Sequence, residues 1–169
     1  MFKTGDTVIY GIHGVCKITG TEENDFSGEK KQYYVLRPVD SENSTLFVPT
    51  DNEKLTSKMH KLLTKEEVDG LIDSMPQNKA NWIANDNERK EIYRKIIADG
   101  NHSELIGMIK AIYLQKKERE EKGKHLHAAD ERFFNEAEQV LYSEFQYVLN
   151  LNKEDLMSYI FSRIEGNTL

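Results

Sequence analysis

Residues that could perform catalysis occur in this sequence, but their spacing does not assemble them into a catalytic site. Glu118, Glu120 and Glu121 alternate with Lys and Arg in KKEREEK, the i, i+4 pattern of ion pairs on a solvated helix face. Cys16 lies within an alternating strand pattern, which favours a buried thiol over a nucleophile. We therefore predict no catalytic residues, no enzymatic activity and no small-molecule substrate.

The sequence also has no motif that is typical of a metal site or a phosphate-binding loop. His125 and His127 are two residues apart, so on a helix their rings point to different faces, and no third ligand is near in sequence. The GIHGV segment at residues 11–15 lacks the Lys and Ser/Thr that a phosphate-binding loop requires. The sequence therefore predicts no metal and no cofactor.

The one tryptophan stands close to a group of basic residues. Trp82 has Lys79 before it and Arg89, Lys90 and Arg94 after it, and Lys90 and Arg94 share a helix face at i, i+4. Two interpretations stay open: Trp82 packs against a core at the start of a helix, or its indole is partly exposed beside a basic strip. In the second case the cations would hold phosphates and the indole would stack on a base.

The charge distribution is uneven. The net charge is −6, yet residues 77–125 hold eleven Lys and Arg against eight Asp and Glu. No apolar stretch is long enough to cross a bilayer, the start does not have the pattern of a secretory signal, and Cys16 is the single cysteine. We expect a cytoplasmic protein with no membrane partner.

The first fifty residues show the alternation of short strands. The segments DTVIY, GVCKITGT, KQYYVLRPV and STLFVP are separated by turns, one of them at residues 26–29, and Pro49 ends the last clear strand. This pattern predicts a small curled β-barrel of the SH3 or Tudor type.

From Thr64 onward the apolar period becomes that of helices. Thr64 and Glu67 form a capping box, and Pro76 ends the first helix. Four more helices are predicted. The second spans about 81–98 before Gly100, the third begins at Ser103 with Tyr113 facing inward, the fourth includes residues 133–148, and the fifth is capped by Asn152.

The fold class is therefore α+β, with a small N-terminal Tudor/SH3-like β-barrel followed by an all-α domain of about five helices. The predicted domains are 1–55 for the β-domain and 64–169 for the helical domain, joined by a linker at 56–63.

The opening FKTGDTVIYGIHGVCKI resembles the start of the CarD/CdnL regulators and of the polymerase-binding module of transcription-repair coupling factors. The similarity continues through Tyr34 and Leu36 into Phe47-Val48-Pro49. The C-terminal half has the family's NW pair at Asn81 and Trp82.

The resemblance implies a transcription regulator of bacterial origin. Its Tudor-like module would bind the RNA polymerase β-subunit by adding a strand edge, at residues 30–36 or 45–48, to a partner strand. The helical domain would contact promoter DNA at the upstream edge of the bubble, with Trp82 as a minor-groove wedge that stabilises the open complex.

The implied site residues fall into two sets. Those for polymerase are Tyr34, Leu36, Phe47, Val48 and Pro49, and those for DNA are Trp82, Lys79, Arg89, Lys90 and Arg94. The chain departs from its relatives in lacking a basic cluster directly after Trp82, and its C-terminal segment is acidic. An alternative therefore stays open, a polymerase-tethered adaptor whose helical domain binds another protein rather than DNA.

Overall fold

The computed structural model describes residues 1–41 and 43–166, which divide into two units. The first, here called the β-domain, comprises Met1–Leu62, and the second, the helical domain, begins at Leu63. Each unit has its own cluster of buried apolar residues. The predicted α+β class is confirmed.

The β-domain is a five-stranded antiparallel sheet with the strand order β4-β3-β2-β1-β5. The strands are β1 (Thr7–Tyr10), β2 (Val15–Asn24), β3 (Lys31–Pro38), β4 (Leu46–Pro49) and β5 (Met59–Lys61). Gly28 in the β2–β3 turn has a φ of 82°, a left-handed conformation that glycine adopts without strain. The predicted turn at residues 26–29 thus connects two paired strands.

The core of the β-domain is small and lies on one face of the sheet. It consists of Val8, Cys16, Ile18, Tyr34, Leu36, Val48 and Met59. A register shift between Ile18 and Gly20 forms an irregularity in β2, where the Thr19 hydroxyl donates to the carbonyl of Val35 at 3.3 Å. Such irregularities increase the local twist, which helps a short sheet to curl around its core.

The segment 56–63, predicted as a linker, contains a strand. After the short helix α1 (Glu53–Thr56), β5 pairs with β1 through Met59, His60 and Lys61. This strand has three residues, of which one side chain is buried, so its alternation of apolar and polar residues is too short to predict a strand from the sequence. Residues 56–62 therefore lie in the β-domain.

The helical domain contains the five helices that the apolar periods predicted. They are α2 (Lys65–Ser74), α3 (Asp86–Asp99), α4 (His102–Glu121), α5 (Ala128–Leu149) and α6 (Lys153–Gly166). The Thr64–Glu67 capping box, the left-handed Gly100 and the Asn152 cap are all present. Pro76 lies in a 3-10 turn that follows α2 directly.

Two of the helix predictions were wrong in detail. The second helix begins at Asp86 rather than Asn81, because the Asn85 side chain accepts from the N–H of Glu88 and caps the helix there. Tyr113, expected to face inward, is exposed, because no helix of the described residues covers its part of α4.

Polar contacts hold the helices together around their core. The Arg163 guanidinium of α6 donates through Nε and one NH₂ group to the Asp73 carboxylate of α2, at 2.9 and 2.8 Å. The buried Glu144 of α5 accepts from the N–H of Leu63 at 3.0 Å and bonds to His102 Nε2 at 2.6 Å. These bonds connect α2, α4, α5 and α6.

Candidate interaction surfaces

The first candidate surface is the outer edge of β4. The N–H of Thr50 donates to the carbonyl of Gln32 in β3, and hydrogen-bonding groups alternate sides along an antiparallel strand. The backbone of Val48 therefore faces β3, whereas that of Phe47 faces away from the sheet. Pro49 also faces away, where its missing N–H costs nothing. Among the described strands none pairs with this edge.

Aromatic side chains lie beside that edge, on the face opposite the core. Phe26, Tyr33 and Phe47 form what we call the aromatic cluster, with ring centroids 5.0 to 6.5 Å apart. Phe26 is 62% exposed and Phe47 is 39% exposed, whereas Tyr33 is buried beneath them. The sequence analysis missed Phe26, although an aromatic residue within the polar turn DFSG was a usable signal.

The residues expected to contact polymerase separate into two groups. Tyr34, Leu36 and Val48 are buried in the core, so their side chains form the domain rather than a contact surface. Phe47 is exposed and Pro49 is partly buried. The proposed edge at residues 30–36 was wrong for its β3 portion, because β3 pairs with β2 on one side and β4 on the other.

The second candidate surface surrounds Trp82. This residue lies in the segment of residues 78–85 that leads into α3, and its half-buried side chain packs against the core of the helical domain. Of the two open interpretations, the structure supports features of both: the indole touches the core and also reaches solvent.

Arg89 is not on the solvent-facing strip where the sequence analysis placed it. Its guanidinium is 2% exposed and makes a two-bond fork to Asp130 of α5, Nε to Oδ1 at 2.9 Å and one NH₂ group to Oδ2 at 3.0 Å. It also donates to Asp86 at 2.8 Å and to the Ile83 carbonyl at 2.9 Å. Its Cζ lies 4.3 Å from the Trp82 ring centroid.

These contacts favour the charged forms of Arg89 and Asp86. Burial by itself lowers the pKa of Arg89, but hydrogen bonds to Asp130 and Asp86 outweigh it and the pKa is raised. The pKa of Asp86 is lowered, first by its hydrogen bond from Arg89 and then by the charge of that guanidinium. Arg89 is thus a positioning residue, which fixes the indole and the backbone at Ile83.

Nearby, the tyrosine Tyr93 packs edge-on against Phe133, and burial raises its pKa to about 12. Its hydroxyl has no hydrogen-bond partner among the described residues.

Three cations of the expected strip are accessible. Lys79 and Arg94 are exposed, Lys90 is half-buried, and within residues 1–41 and 43–166 none of the three is in an ion pair. By contrast, the ammonium group of Lys110 donates hydrogen bonds to the carbonyls of Met75, Pro76 and Asn78. The available positive charge near Trp82 is therefore smaller than the sequence analysis expected.

In the described part of the chain, no group of three or more His, Cys, Asp or Glu residues is placed to hold a metal ion. No helix among those residues is long and apolar enough to span a membrane.

Two comparisons with known proteins bear on these surfaces. Residues 2–63 match the family model of the CarD-like/TRCF RID domain, a span that includes β5 and covers the β-domain. The chain is also similar to "Putative transcription factor YdeB" of Bacillus subtilis (strain 168). The two are 25% identical over 159 residues, which are 94% of this chain and 99% of the relative.

Proposed function

Because residues 2–63 match the CarD-like/TRCF RID domain family, we propose that the chain is a transcription regulator that binds the RNA polymerase β-subunit. The β4 edge would add to an edge strand of that subunit. The helical domain would then contact promoter DNA at the upstream edge of the bubble through Trp82, Lys79, Lys90 and Arg94, and so stabilise the open complex.

The observation that carries this proposal is the open edge of β4. Exposed edges attract other strands, and proteins usually cover or charge them. Here the outward backbone of Phe47 is bordered by exposed aromatic rings instead. Backbone hydrogen bonds to a partner strand would provide affinity, and the aromatic cluster would provide specificity.

A pair of variants at one position tests the edge. Phe47→Pro removes the outward N–H but no bond to β3, and Phe47→Ala removes the ring but keeps the N–H. We expect both full-length variants to melt close to the wild type, because the core side chains are untouched. Binding to the isolated β-subunit lobe, measured by biolayer interferometry, should be weakened by each.

The two variants separate the backbone from the ring. Strand addition predicts that Phe47→Pro binds more weakly than Phe47→Ala, because proline removes the ring and the donor together. Equal affinities of folded Phe47→Pro and wild type would exclude strand addition at β4. A lobe contact that persists in that variant would have to use another surface of the β-domain.

A further inference from the structure

An apolar groove crosses the helical domain between α4, α5 and α6 and is bordered by Met75 and Pro76; its lining does not include Trp82 or the cations near it. It has a volume of about 460 Å³. Its apolar walls include Ile109, Tyr113 and Leu114 of α4, Phe134 of α5, and Phe161 and Ile164 of α6.

The composition of α4 explains why the groove is apolar. Its first half is apolar on nearly every side, with Leu105, Ile106, Met108, Ile109 and Ile112 buried. Tyr113 and Leu114 continue this pattern but are exposed, and Phe161 across the groove is 62% exposed. A helix that is apolar all round is normally covered on all sides. The helices within residues 43–166 leave one side of α4 uncovered.

We propose that this groove binds an amphipathic helix of a partner protein, one that carries bulky apolar side chains and a Lys or Arg opposite Glu138. The lining positions of α4 and α6 recur at helical spacing, so the two walls are rows of side chains. The α4 row from Ile106 to Leu114 is about 12 Å long, which matches two turns of a docked helix.

Glu138 sets the charge of the partner. It lines the groove from α5 and is half-buried, and burial raises its pKa. The charges of Lys153 and Lys116 lower this pKa in part, and no hydrogen bond or ion pair joins Glu138 to another described residue. Lys110 also lines the groove, but three carbonyls occupy its ammonium. A Lys or Arg brought by the partner would form the hydrogen-bonded ion pair that Glu138 lacks among the described residues.

The same carboxylate argues against the other occupants. Two-fold packing of two copies over this groove would bring two Glu138 side chains into one apolar interface, where like charges are costly. Nucleic acid is a polyanion, and the groove offers it no free cation among the described side chains. The inference goes beyond the polymerase contact proposed above and does not depend on it.

The test uses the full chain and defined probes, without polymerase. Two fluorescein-labelled, stapled helical peptides of about four turns carry Leu at i, i+3, i+7 and i+10. One has Arg at the position facing Glu138, and the other has Glu there. Fluorescence anisotropy should show the Arg peptide binding about tenfold more tightly, as expected for a charge-assisted hydrogen bond at a half-buried site.

Variants locate the binding in the groove. Phe161→Ser and Leu114→Ser should each weaken the Arg peptide about tenfold, as loss of an apolar anchor does. Phe26→Ser is the matched control, since Phe26 has the same exposure but lies in the β-domain. Glu138→Arg should reverse the preference, so that the Glu peptide binds better. Circular dichroism verifies the fold of each variant.

Three results would overturn the inference. The first is absence of binding by either peptide, and the second is equal affinity for both peptides in the wild type. The third is self-association of the peptide-free chain in sedimentation experiments that Phe161→Ser abolishes, since a second copy would then occupy the groove.

Discussion

The Arg89 side chain connects three parts of the helical domain: α3, on which it lies, the preceding segment at Ile83, and Asp130 on α5. Breaking a buried ion pair by removing one partner costs about 3–5 kcal/mol, because the remaining charge is left without compensation. The pair therefore couples the position of Trp82 to the integrity of the helix core, a role that a phosphate-binding arginine does not have.

Substitution of Arg89 should release the indole. Arg89→Lys keeps the charge but loses the planar fork, so we expect a stable fold with a less ordered Trp82. Because Trp82 is the single tryptophan, its fluorescence reports this directly. Acrylamide quenching should increase in Arg89→Lys and remain unchanged in Arg94→Lys. Equal quenching in both variants would show that Arg89 does not hold the ring.

Trp82 can be tested without unfolding the protein if its size is largely preserved. Trp82→Ala should cost about 2 kcal/mol, roughly half the value for a fully buried aromatic, because the side chain is half-buried. Trp82→Phe should melt closer to the wild type and still shorten the lifetime of promoter complexes. A Trp82→Phe protein with normal melting and normal complex lifetime would contradict the wedge role.

The buried thiol of Cys16 should make the folded protein less stable at alkaline pH. Burial raises the pKa of its thiol to about 11 from a usual 9.0. The unfolded chain therefore ionises first, so the thiol's contribution is complete below pH 9 and is lost as the pH rises through 11. Denaturant unfolding across this range should show a steeper loss in the wild type than in Cys16→Ala. Parallel curves would contradict the assignment.

At the residue scale, the sequence indicated the neighbours of Trp82 but not their roles. Lys90 and Arg94 lie on the accessible part of α3, as their spacing suggested. Arg89 has the same charge and directly precedes Lys90 in the sequence. It is nevertheless buried, because it forms an ion pair with Asp130 of α5. Single-sequence periodicity has no information about a partner 41 residues away.

At the scale of elements, helices with strong caps were the most predictable. The capping box at Thr64 and the left-handed Gly100 have local causes, so the sequence showed them. The strand β5 depends on pairing with β1, a contact distant in sequence, and it was missed. Residues 45–48 were one of the two strand edges expected, and the strand order, which alternation does not reveal, shows that β4 is the outer strand.

The exposed cations of α3 predict the salt dependence of DNA binding. Lys90 and Arg94 lie one turn apart and are in no ion pair within the described chain. In Lys90→Glu/Arg94→Glu, loss of two phosphate contacts should reduce the slope of log affinity against log salt by about two units. Binding of the β-subunit should not change. An unchanged slope would move DNA contact away from α3.

At the scale of the molecule, two domains with separate cores suit two separate contacts. The net charge of −6 disfavours strong DNA binding by the free chain. A chain already bound to polymerase, however, meets promoter DNA at a high effective concentration, so a few cations and one indole suffice. Weak binding of free DNA is therefore expected and is compatible with the proposed function.

The two-domain order and the α+β class were predictable because each domain has its own hydrophobic period, 2.0 in the β-domain and 3.6 in the helical domain. The groove between α4, α5 and α6 was not predictable from the sequence. Tyr113 fits the apolar pattern of α4, and the sequence alone assigned it to the core. Which side of an apolar helix stays uncovered depends on how the other helices pack.

The proposed function requires that this chain prolong the life of the open promoter complex. The direct measurement is the decay of polymerase–promoter complexes after a competitor challenge, with and without the full chain. We predict slower decay with the wild-type chain and a smaller effect with Trp82→Phe. Phe47→Pro should also have a smaller effect, because its binding to the polymerase is weakened. Decay at the same rate with and without a chain shown to bind the β-subunit would contradict the account.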